Sequence, residues 1–261
     1  MEQAEARLWL IEKLKNENPV YAKVPVPNDE QGQKDLLRIL MNVRMPRPIG
    51  SEFREVQDAY LKREAILKRI VDADSLESCK SDPRLCLWQG DITRLRADAI
   101  VNAANSGMTG CYTPLHNCID NCIHTAAGLD LRWECYRIMQ KQRHEEPTGK
   151  AKITPGFCLP AKYVLHTVGP IVGGSLTEEH RDLLRSCYLS CLDLAAENGL
   201  SSVAFCCIST GVFAFPADKA AVIAVQTVKE WLDRHPEGPV KRVIFNVFGD
   251  RDRAIYEDIL N

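Results

Sequence analysis

The sequence of 261 residues lacks the features by which membrane, secreted and nucleic-acid-binding proteins are most easily recognised. No apolar run approaches the roughly 20 residues that a membrane-spanning helix needs. Residues 1–7 carry too many charges for a secretory signal peptide. Neither sign of charge is in excess, because 33 Lys and Arg stand against 35 Asp and Glu, a formal net charge of −2. We therefore expect no membrane partner and no nucleic-acid partner.

Cysteine is plentiful, but its pattern does not indicate a disulfide scaffold. The chain has 11 cysteines, an odd number without the spacing of a small disulfide-bonded protein. Since no signal peptide is apparent, we expect most of them to be reduced. The length is sufficient for one large domain or two small ones with a substantial core. These features are typical of a cytoplasmic enzyme, which we expect to be monomeric.

The first 80 residues differ from the rest of the chain in their pattern of apolar residues. Apolar residues at helical spacing predict helices over residues 8–14, 31–43 and 51–70, separated by breaks that contain proline. Nothing in this segment has the chemistry of catalysis. We predict that residues 1–80 form a helical N-terminal extension packed on a main domain of residues 81–261. A docking surface for a protein substrate is the functional alternative for the extension.

From Leu85 onward, short apolar segments alternate with amphipathic ones. The apolar segments predict six strands, at residues 85–89, 100–103, 151–154, 163–166, 203–208 and 243–247. Helices are predicted between several of them, including one that Thr177 opens as an N-cap and one that Pro216 opens. Strands that alternate with helices predict an α/β fold whose sheet is covered on both faces.

The stretch from Asn102 to Gly128 contains most of the residues that could bind a metal ion or take part in catalysis. It runs from an apolar strand across a loop with glycines into a predicted helix, an arrangement in which α/β proteins bind anionic ligands. The loop contains Cys111, His116 and Cys118. Two thiolates and an imidazole suit one zinc ion, and three protein ligands would leave its fourth position open for water or substrate. The alternative is that these are ordinary cysteines and a surface histidine.

Four separated segments, in this order, resemble the signatures of a macrodomain, the ADP-ribose-binding module. They are QGDIT at 89–93, DAIVNAAN at 98–105, IDNCIHTAAG at 119–128 and CISTGVF at 207–213. The intervening GCYTPLHNC at 110–118 resembles the insertion of the zinc-dependent macrodomains that remove ADP-ribose from proteins. The resemblance implies a three-layer α/β/α fold with a mixed central sheet of about six strands.

The resemblance also implies where ADP-ribose binds. Asp91 would accept a hydrogen bond from the adenine amino group, and Asn105 would contact the distal ribose. Gly211 lies in what resembles the second phosphate loop, where glycine lets the backbone approach a diphosphate. The family often has glycine where Ala214 stands in this chain. The complete set of expected ADP-ribose contacts is Asp91, Ile92, Asn105, Gly110, Cys111, Ser209, Thr210, Gly211, Val212, Phe213 and Phe248.

Several of these residues have structural alternatives. Asp91 follows a strand at a glycine turn and could cap that turn. Residues 209–213 could be an ordinary connection between a strand and a helix. Phe248 either stacks on adenine or is a core aromatic. Asn102 is either a turn residue or a second amide for the ribose hydroxyls.

The residues that the resemblance implies for catalysis are Asn105, Asp120, Cys111, His116 and Cys118. Asp120 would polarise a water near the anomeric carbon, or it would only orient His116. The helix predicted to carry Asp120 has an apolar face that begins at Leu115. We expect His124, four residues after Asp120, to be a hydrogen-bonded structural histidine that faces this apolar side.

Together these features imply a zinc-dependent hydrolase that cleaves the bond between the distal ribose of ADP-ribose and an Asp or Glu side chain of a mono-ADP-ribosylated protein. The zinc ion would position ribose oxygens or lower the pKa of a bound water. Because two thiolates weaken its Lewis acidity, we favour positioning. The resemblance also implies a lipoylated carrier protein as a substrate. The alternatives are a non-catalytic ADP-ribose reader, and a hydrolase of O-acetyl-ADP-ribose or ADP-ribose 1″-phosphate.

Overall fold

The computed structural model describes residues 1–260, which contain nine α-helices and nine strands. The helices are α1 (Gln3–Glu17), α2 (Pro19–Ala22), α3 (Glu30–Val43), α4 (Ser51–Leu67), α5 (Ile119–Ala127), α6 (Leu129–Gln142), α7 (Glu178–Glu197), α8 (Ala217–Arg234) and α9 (Asp250–Leu260). The strands are β1 (Val71–Asp72), β2 (Ser78–Cys79), β3 (Asp82–Gln89), β4 (Leu95–Arg96), β5 (Ala99–Ala104), β6 (Ala151–Pro155), β7 (Tyr163–Val168), β8 (Ser202–Phe205) and β9 (Arg242–Val247).

Seven of the strands form one mixed sheet in the order β2-β3-β9-β8-β5-β7-β6. The five interior strands are parallel, whereas β2 and β6 run antiparallel to their neighbours at the two edges. Strands buried on both faces need mostly apolar sequence, which β5, β7 and β8 have, although β5 also buries Asn102 and β7 also buries His166. The predicted α/β fold with a mixed central sheet is confirmed.

The sheet has one strand more than the six predicted. This strand, β2, is only two residues long and pairs with β3 through an irregular register. It lies inside the segment for which we predicted only helices, because two residues cannot show the alternation that reveals a strand. A separate pairing of β1 with β4 lies outside the main sheet.

Helices cover the sheet on both faces, as the three-layer prediction requires. Helix α8 packs on α7 and α9. Helix α7 also contacts β6 and β7, α9 contacts β3 and β9, and α5 packs on α6 and β5. Thr177 caps α7 through a capping box, and Pro216 is the N-cap of α8, so both predicted helix starts are confirmed. Within residues 1–260, every helix is too short or too polar to cross a membrane.

The N-terminal helices α1–α4 bury an apolar cluster of their own. Leu129 and Cys158 of the main domain complete this cluster. Helix α4 ends at Leu67, earlier than the predicted end at residue 70. Helix α3 packs on α5, and Arg54 of α4 donates two hydrogen bonds to Asp130 of α6. The extension is therefore packed directly beside the helix that carries Asp120.

Helix α5 begins later than the apolar pattern predicted. Cys118 is its N-cap, and its Sγ accepts a hydrogen bond from the backbone N–H of Asn121 at 3.4 Å. Leu115, which we expected on the apolar face of the helix, lies in the preceding loop with a φ of 55°. The prediction for Leu115 was therefore wrong.

Candidate functional site

A cleft of about 1810 Å³ opens where β3, β5, β8 and β9 end. Its walls are the loops that follow these strands, helix α5, and helices α3 and α4 of the extension. Ligands of open α/β sheets bind outside the carboxyl ends of parallel strands. Small-molecule sites usually measure about 300–1,000 Å³, so this cleft has room for a nucleotide and part of a second molecule.

Every residue of the expected ADP-ribose, metal and catalytic sets lines this one cleft, although the segments are far apart in the chain. These residues are Asp91, Ile92, Asn105, Gly110, Cys111, His116, Cys118, Asp120, Ser209, Thr210, Gly211, Val212, Phe213 and Phe248. The loops after β3, β5, β8 and β9 bring them together because parallel strands end at the same side of the sheet. The chemical roles of these residues stay predictions.

The side chains of Cys111, His116 and Cys118 form a compact cluster in the loop before α5. Their ligand atoms all lie within 4.8 Å of one another, and Sγ of Cys111 is 3.7 Å from Nδ1 of His116. All three residues are half-buried. Burial raises the pKa of the Cys118 thiol, so a bound cation would be needed to favour its thiolate form. The donor types and their proximity fit one zinc ion.

Asp120 is held by two amide side chains. It lies in the first turn of α5 and is 5% exposed. Its Oδ1 accepts a hydrogen bond from Nδ2 of Asn102 at 2.8 Å, and its Oδ2 accepts one from Nδ2 of Asn105 at 3.1 Å. Burial raises the pKa of this carboxyl to about 6. The group is therefore oriented and, because its pKa is raised, is a stronger base than an exposed carboxylate, which suits a general base.

Asn102 stands behind Asp120 and does not line the cleft. The side chain is fully buried, and its Nδ2 is 3.1 Å from Nδ1 of His166. Nε2 of His166 is in turn 2.9 Å from Oγ1 of Thr154. Burial lowers the pKa of His166 to about 3, so its ring is neutral. The structure therefore places Asn102 as a link between Asp120 and the sheet and does not bring it to a ribose position.

His124 is buried in the interior as expected, but neither ring nitrogen has a hydrogen-bond partner within residues 1–260, so the expected hydrogen bond is not found. It is 4% exposed, and burial lowers its pKa well below the usual value. Its Nε2 lies 3.5 Å from Oδ1 of Asp120. The ring also restricts the neighbouring loop, because a Cβ added to Gly110 would lie 2.8 Å from Cγ of His124. Gly110 has a φ of 85°, so glycine is required there on two counts.

The loop after β8 presents its backbone to the cleft. The amide N–H groups of Gly211, Val212 and Phe213 have no hydrogen-bond partner within residues 1–260. A Cβ added to Gly211 would meet no heavy atom within 4 Å. Ala214 adopts a φ of 55°, a conformation that glycine reaches more easily. Successive free N–H groups in a turn can bind an anion, and phosphate binding by this loop stays a prediction.

At the end of β3, Asp91 caps the turn that follows the strand, which was the structural alternative for this residue. Its Oδ1 accepts hydrogen bonds from the backbone N–H and the Oγ1 of Thr93, at 3.0 and 2.6 Å. Its Oδ2 is 3.6 Å from Nζ of Lys68. Asp91 is therefore a turn cap that also faces the cleft. Phe248 is 79% exposed, which excludes the core alternative and leaves its ring free to stack on a ligand.

Sequence reasoning missed two arginines that lie against the loop of the cysteine-histidine cluster. Arg132 is 4% exposed and lies three residues from both Leu129 and Cys135 on the buried side of α6. A charged residue in an apolar helix stripe was the signal that could have identified it. Arg38 gives no such signal, because it donates to the carbonyl oxygen of His116, 78 residues away in the sequence.

Comparison with known proteins gives consistent matches. The sequence model of the family described as Macro domain matches residues 101–224. The protein-ADP-ribose hydrolase of Treponema medium is 54% identical over 263 aligned residues, which cover 100% of both chains. The protein-ADP-ribose hydrolase of Staphylococcus aureus strain MSSA476 is 46% identical, and the alignment covers 95% of this chain and 91% of that one.

Solved structures resemble the main part of the chain. The Trypanosoma brucei macrodomain in complex with ADP-ribose is 32% identical with a TM-score of 0.67, covering 83% of this chain and 93% of that one. The Oceanobacillus iheyensis macrodomain with ADP is 37% identical with a TM-score of 0.60, covering 67% of this chain and 88% of that one.

Proposed function

The chain belongs to the macro domain family, and from that membership and its cleft we propose that it is a hydrolase that removes mono-ADP-ribose from acidic side chains of proteins. One observation carries the proposal. The cluster of Cys111, His116 and Cys118, the oriented carboxyl of Asp120 and the free amides of residues 211–213 share one cleft. A full-length relative named protein-ADP-ribose hydrolase and a similar macrodomain solved with ADP-ribose support it.

The cleft would bind ADP-ribose along its length. The free N–H groups of residues 211–213 would hold the diphosphate, and the exposed ring of Phe248 would stack on adenine beside Asp91. The distal ribose would then lie near Asn105, at the end of the cleft that contains the cysteine-histidine cluster. Binding of the diphosphate and the base would supply binding energy remote from the bond that reacts.

The cluster of Cys111, His116 and Cys118 would hold one zinc ion with its fourth position open. When bound, the ion would supply a cation that positions the distal-ribose oxygens, since two thiolates reduce its Lewis acidity.

Asp120 would activate the water. In the proposed reaction the water oxygen forms a bond to the anomeric carbon while the bond from that carbon to the carboxylate oxygen of the protein breaks. Asp120, oriented by Asn102 and Asn105, takes the proton from the water. The leaving carboxylate departs with the electron pair and needs no proton at neutral pH. The products are ADP-ribose and an intact Asp or Glu side chain.

The decisive experiment compares three proteins on one substrate. Purified wild type, Cys111→Ala and Asp120→Asn are incubated with a protein mono-ADP-ribosylated on Asp or Glu, before and after chelation, and their zinc content is measured in the same samples. A lipoylated carrier protein serves as a second modified substrate. We expect the wild type to release ADP-ribose with one equivalent of zinc, and both variants and the chelated protein to lose release.

Other outcomes would assign other functions. Full zinc occupancy and ADP-ribose binding without release would make the chain a reader of ADP-ribose. Turnover of O-acetyl-ADP-ribose or ADP-ribose 1″-phosphate, without release from protein, would make it a small-molecule hydrolase. Release that persists after complete loss of zinc would leave the reaction to Asp120 and its amide partners.

A further inference from the structure

The loop that would hold the metal is tied to a helix of the N-terminal extension. We call residues 111–118, between the first and last ligands of the cluster, the metal loop. Nη2 of Arg38, in α3, donates a hydrogen bond to the carbonyl oxygen of His116 at 2.7 Å. The same guanidinium donates to Oδ1 of Asn121 from Nε at 3.2 Å and from Nη2 at 3.0 Å. Arg38 therefore contacts the backbone of a ligand residue directly.

Asn121, which Arg38 contacts, also forms hydrogen bonds to two other residues of the metal loop. Its Nδ2 donates to the carbonyl oxygen of Thr113 at 3.0 Å. Its backbone N–H donates to Sγ of Cys118 at 3.4 Å. Because Asn121 is fully buried, its amide has a fixed orientation. Arg38 thus acts on both His116 and Cys118, once directly and once through Asn121.

A second side chain of α3 fixes the turn between the ligands. Oδ1 of Asn42 accepts a hydrogen bond from the backbone N–H of Leu115 at 3.1 Å, and its Nδ2 donates to Oγ1 of Thr125 at 3.0 Å. Leu115 has a φ of 55°, a left-handed backbone conformation that leucine rarely adopts. The strained residue directly before His116 is therefore held by a bond from the extension.

The end of α3 also binds the buried guanidinium of Arg132. Nη1 of this arginine donates to carbonyl oxygens at the C-terminus of α3, those of Met41, Asn42 and Arg44, at 3.0, 2.7 and 2.7 Å. Its Nη2 donates to the carbonyl oxygen of Cys111 at 3.3 Å. The charge of Arg132 therefore faces the negative end of the α3 dipole, and its Cζ also lies 4.3 Å from the centroid of the Tyr112 ring, while the carboxylate of Asp120 adds a coulombic attraction.

We propose that Arg38 is a positioning residue for the metal, and that α3 completes the metal site from outside the macrodomain. The inference rests on the proposed function only in assuming that a metal binds to Cys111, His116 and Cys118. Partners that orient metal ligands typically account for about 10- to 100-fold in metal affinity. The extension would then be part of the metal site and not only a surface beside it.

Zinc affinity of the full-length chain tests the proposal. The apparent dissociation constant is measured by competition with a chromophoric chelator for wild type, Arg38→Ala, Arg38→Lys and Arg54→Ala. Arg54→Ala is the matched control, because it also breaks two hydrogen bonds between the extension and the main domain but touches no residue of the metal loop. Thermal unfolding of the metal-free proteins shows how far each variant loosens the fold.

We expect Arg38→Ala to weaken zinc binding by about 10- to 100-fold, and Arg54→Ala to leave it within about 2-fold of wild type. Arg38→Lys should be intermediate, because lysine reaches the carbonyl of His116 but lacks the fork that binds Asn121. The visible spectrum of the cobalt-loaded protein should change in Arg38→Ala and not in Arg54→Ala, because cobalt absorption reports ligand geometry.

The results separate this inference from the proposed metal site. Equal zinc affinity in wild type and Arg38→Ala, or an equal loss in Arg38→Ala and Arg54→Ala, would overturn the positioning role while leaving the metal site in place. A wild type without zinc affinity would overturn the metal site itself and this inference with it. If Arg38→Ala does not fold, the zinc affinity of Arg38→Lys is compared with that of Arg54→Ala, and the same two outcomes apply.

Discussion

Asn105 donates a hydrogen bond to Oδ2 of Asp120 across 3.1 Å, and the same Nδ2 donates to the carbonyl oxygen of Gly110 at 3.1 Å. One amide therefore fixes a carboxyl on α5 relative to the loop that precedes the cysteine-histidine cluster. This arrangement aligns the expected base with the expected ribose position, so its geometry should affect rate more than folding.

The substitution Asn105→Ala should lower the rate of ADP-ribose release by about 100-fold, because a small misplacement of a reacting group has an effect of this size. Steady-state release from a modified protein gives kcat, and thermal unfolding checks the fold. Asn198→Ala is the control, since that exposed amide bonds only to the carbonyl oxygen of Leu194. Retention of wild-type kcat in Asn105→Ala would remove Asn105 from the reaction.

The substitution Gly110→Ala should destabilise the protein by about 1–3 kcal/mol. The added Cβ would lie 2.8 Å from Cγ of His124, in a residue whose φ is 85°. Urea unfolding measures the loss in the free energy of unfolding. Gly211→Ala is the matched control, because a Cβ there meets nothing within 4 Å. Its stability should stay within about 0.5 kcal/mol of wild type, and an equal loss in both would contradict the steric reason.

The substitution Phe248→Ala should weaken the binding of ADP by about 10-fold, because stacking of a base on an aromatic ring contributes on this scale. The ring is 79% exposed, so the free energy of unfolding should change by less than about 0.5 kcal/mol. Calorimetric titration with ADP measures the effect, and ribose 5-phosphate, which has no base, serves as the control ligand. Unchanged ADP affinity would show that the ring does not contact adenine.

Stability should fall in acid because His166 is buried as a neutral ring. Burial lowers its pKa to about 3, whereas the unfolded chain binds a proton with a pKa of about 6.5. Between these values the unfolded chain binds more protons than the folded protein. The free energy of unfolding therefore decreases as the pH falls from 6.5 towards 3, by about 1.4 kcal/mol per pH unit from this residue.

A comparison with His166→Gln isolates the contribution of His166. Between pH 7.5 and pH 4.5 the wild type should lose about 2–3 kcal/mol more stability in urea unfolding than the variant. Glutamine can still bond to Asn102 and Thr154 but does not titrate. Asp120, whose raised pKa acts in the opposite direction, is present in both proteins and cancels in the difference. Equal losses in the two proteins would contradict the buried, neutral ring.

Local sequence signals were sufficient to predict those features that depend on residues close together in the sequence. The cap at Thr177 and the proline before α8 gave helix starts, and continuous apolar segments gave the interior strands. The resemblance of four motifs to a macrodomain gave the cleft residues, and in the structure these motifs are strand ends, one loop and helix α5. These are features in which sequence neighbours are also spatial neighbours.

The errors arise where a distant segment decides the local conformation. Leu115 continues an apolar helical pattern, but a bond from Asn42 holds its backbone N–H in a left-handed turn. Asparagine is common in turns, and Asn102 was considered as a turn residue. In the structure, β5 places it in the interior between Asp120 and His166. Strand β2 is two residues long and is defined by its pairing with β3. None of these partners can be deduced from spacing along the chain.

The two edges of the sheet restrict how the protein can aggregate. An exposed strand edge is a template on which another chain can add a strand. Here one edge is β2, which is two residues long and irregular in register, and the other is β6, which ends in Pro155. A proline has no N–H to donate, and two residues offer little length for pairing. We expect this sheet to resist growth by strand addition.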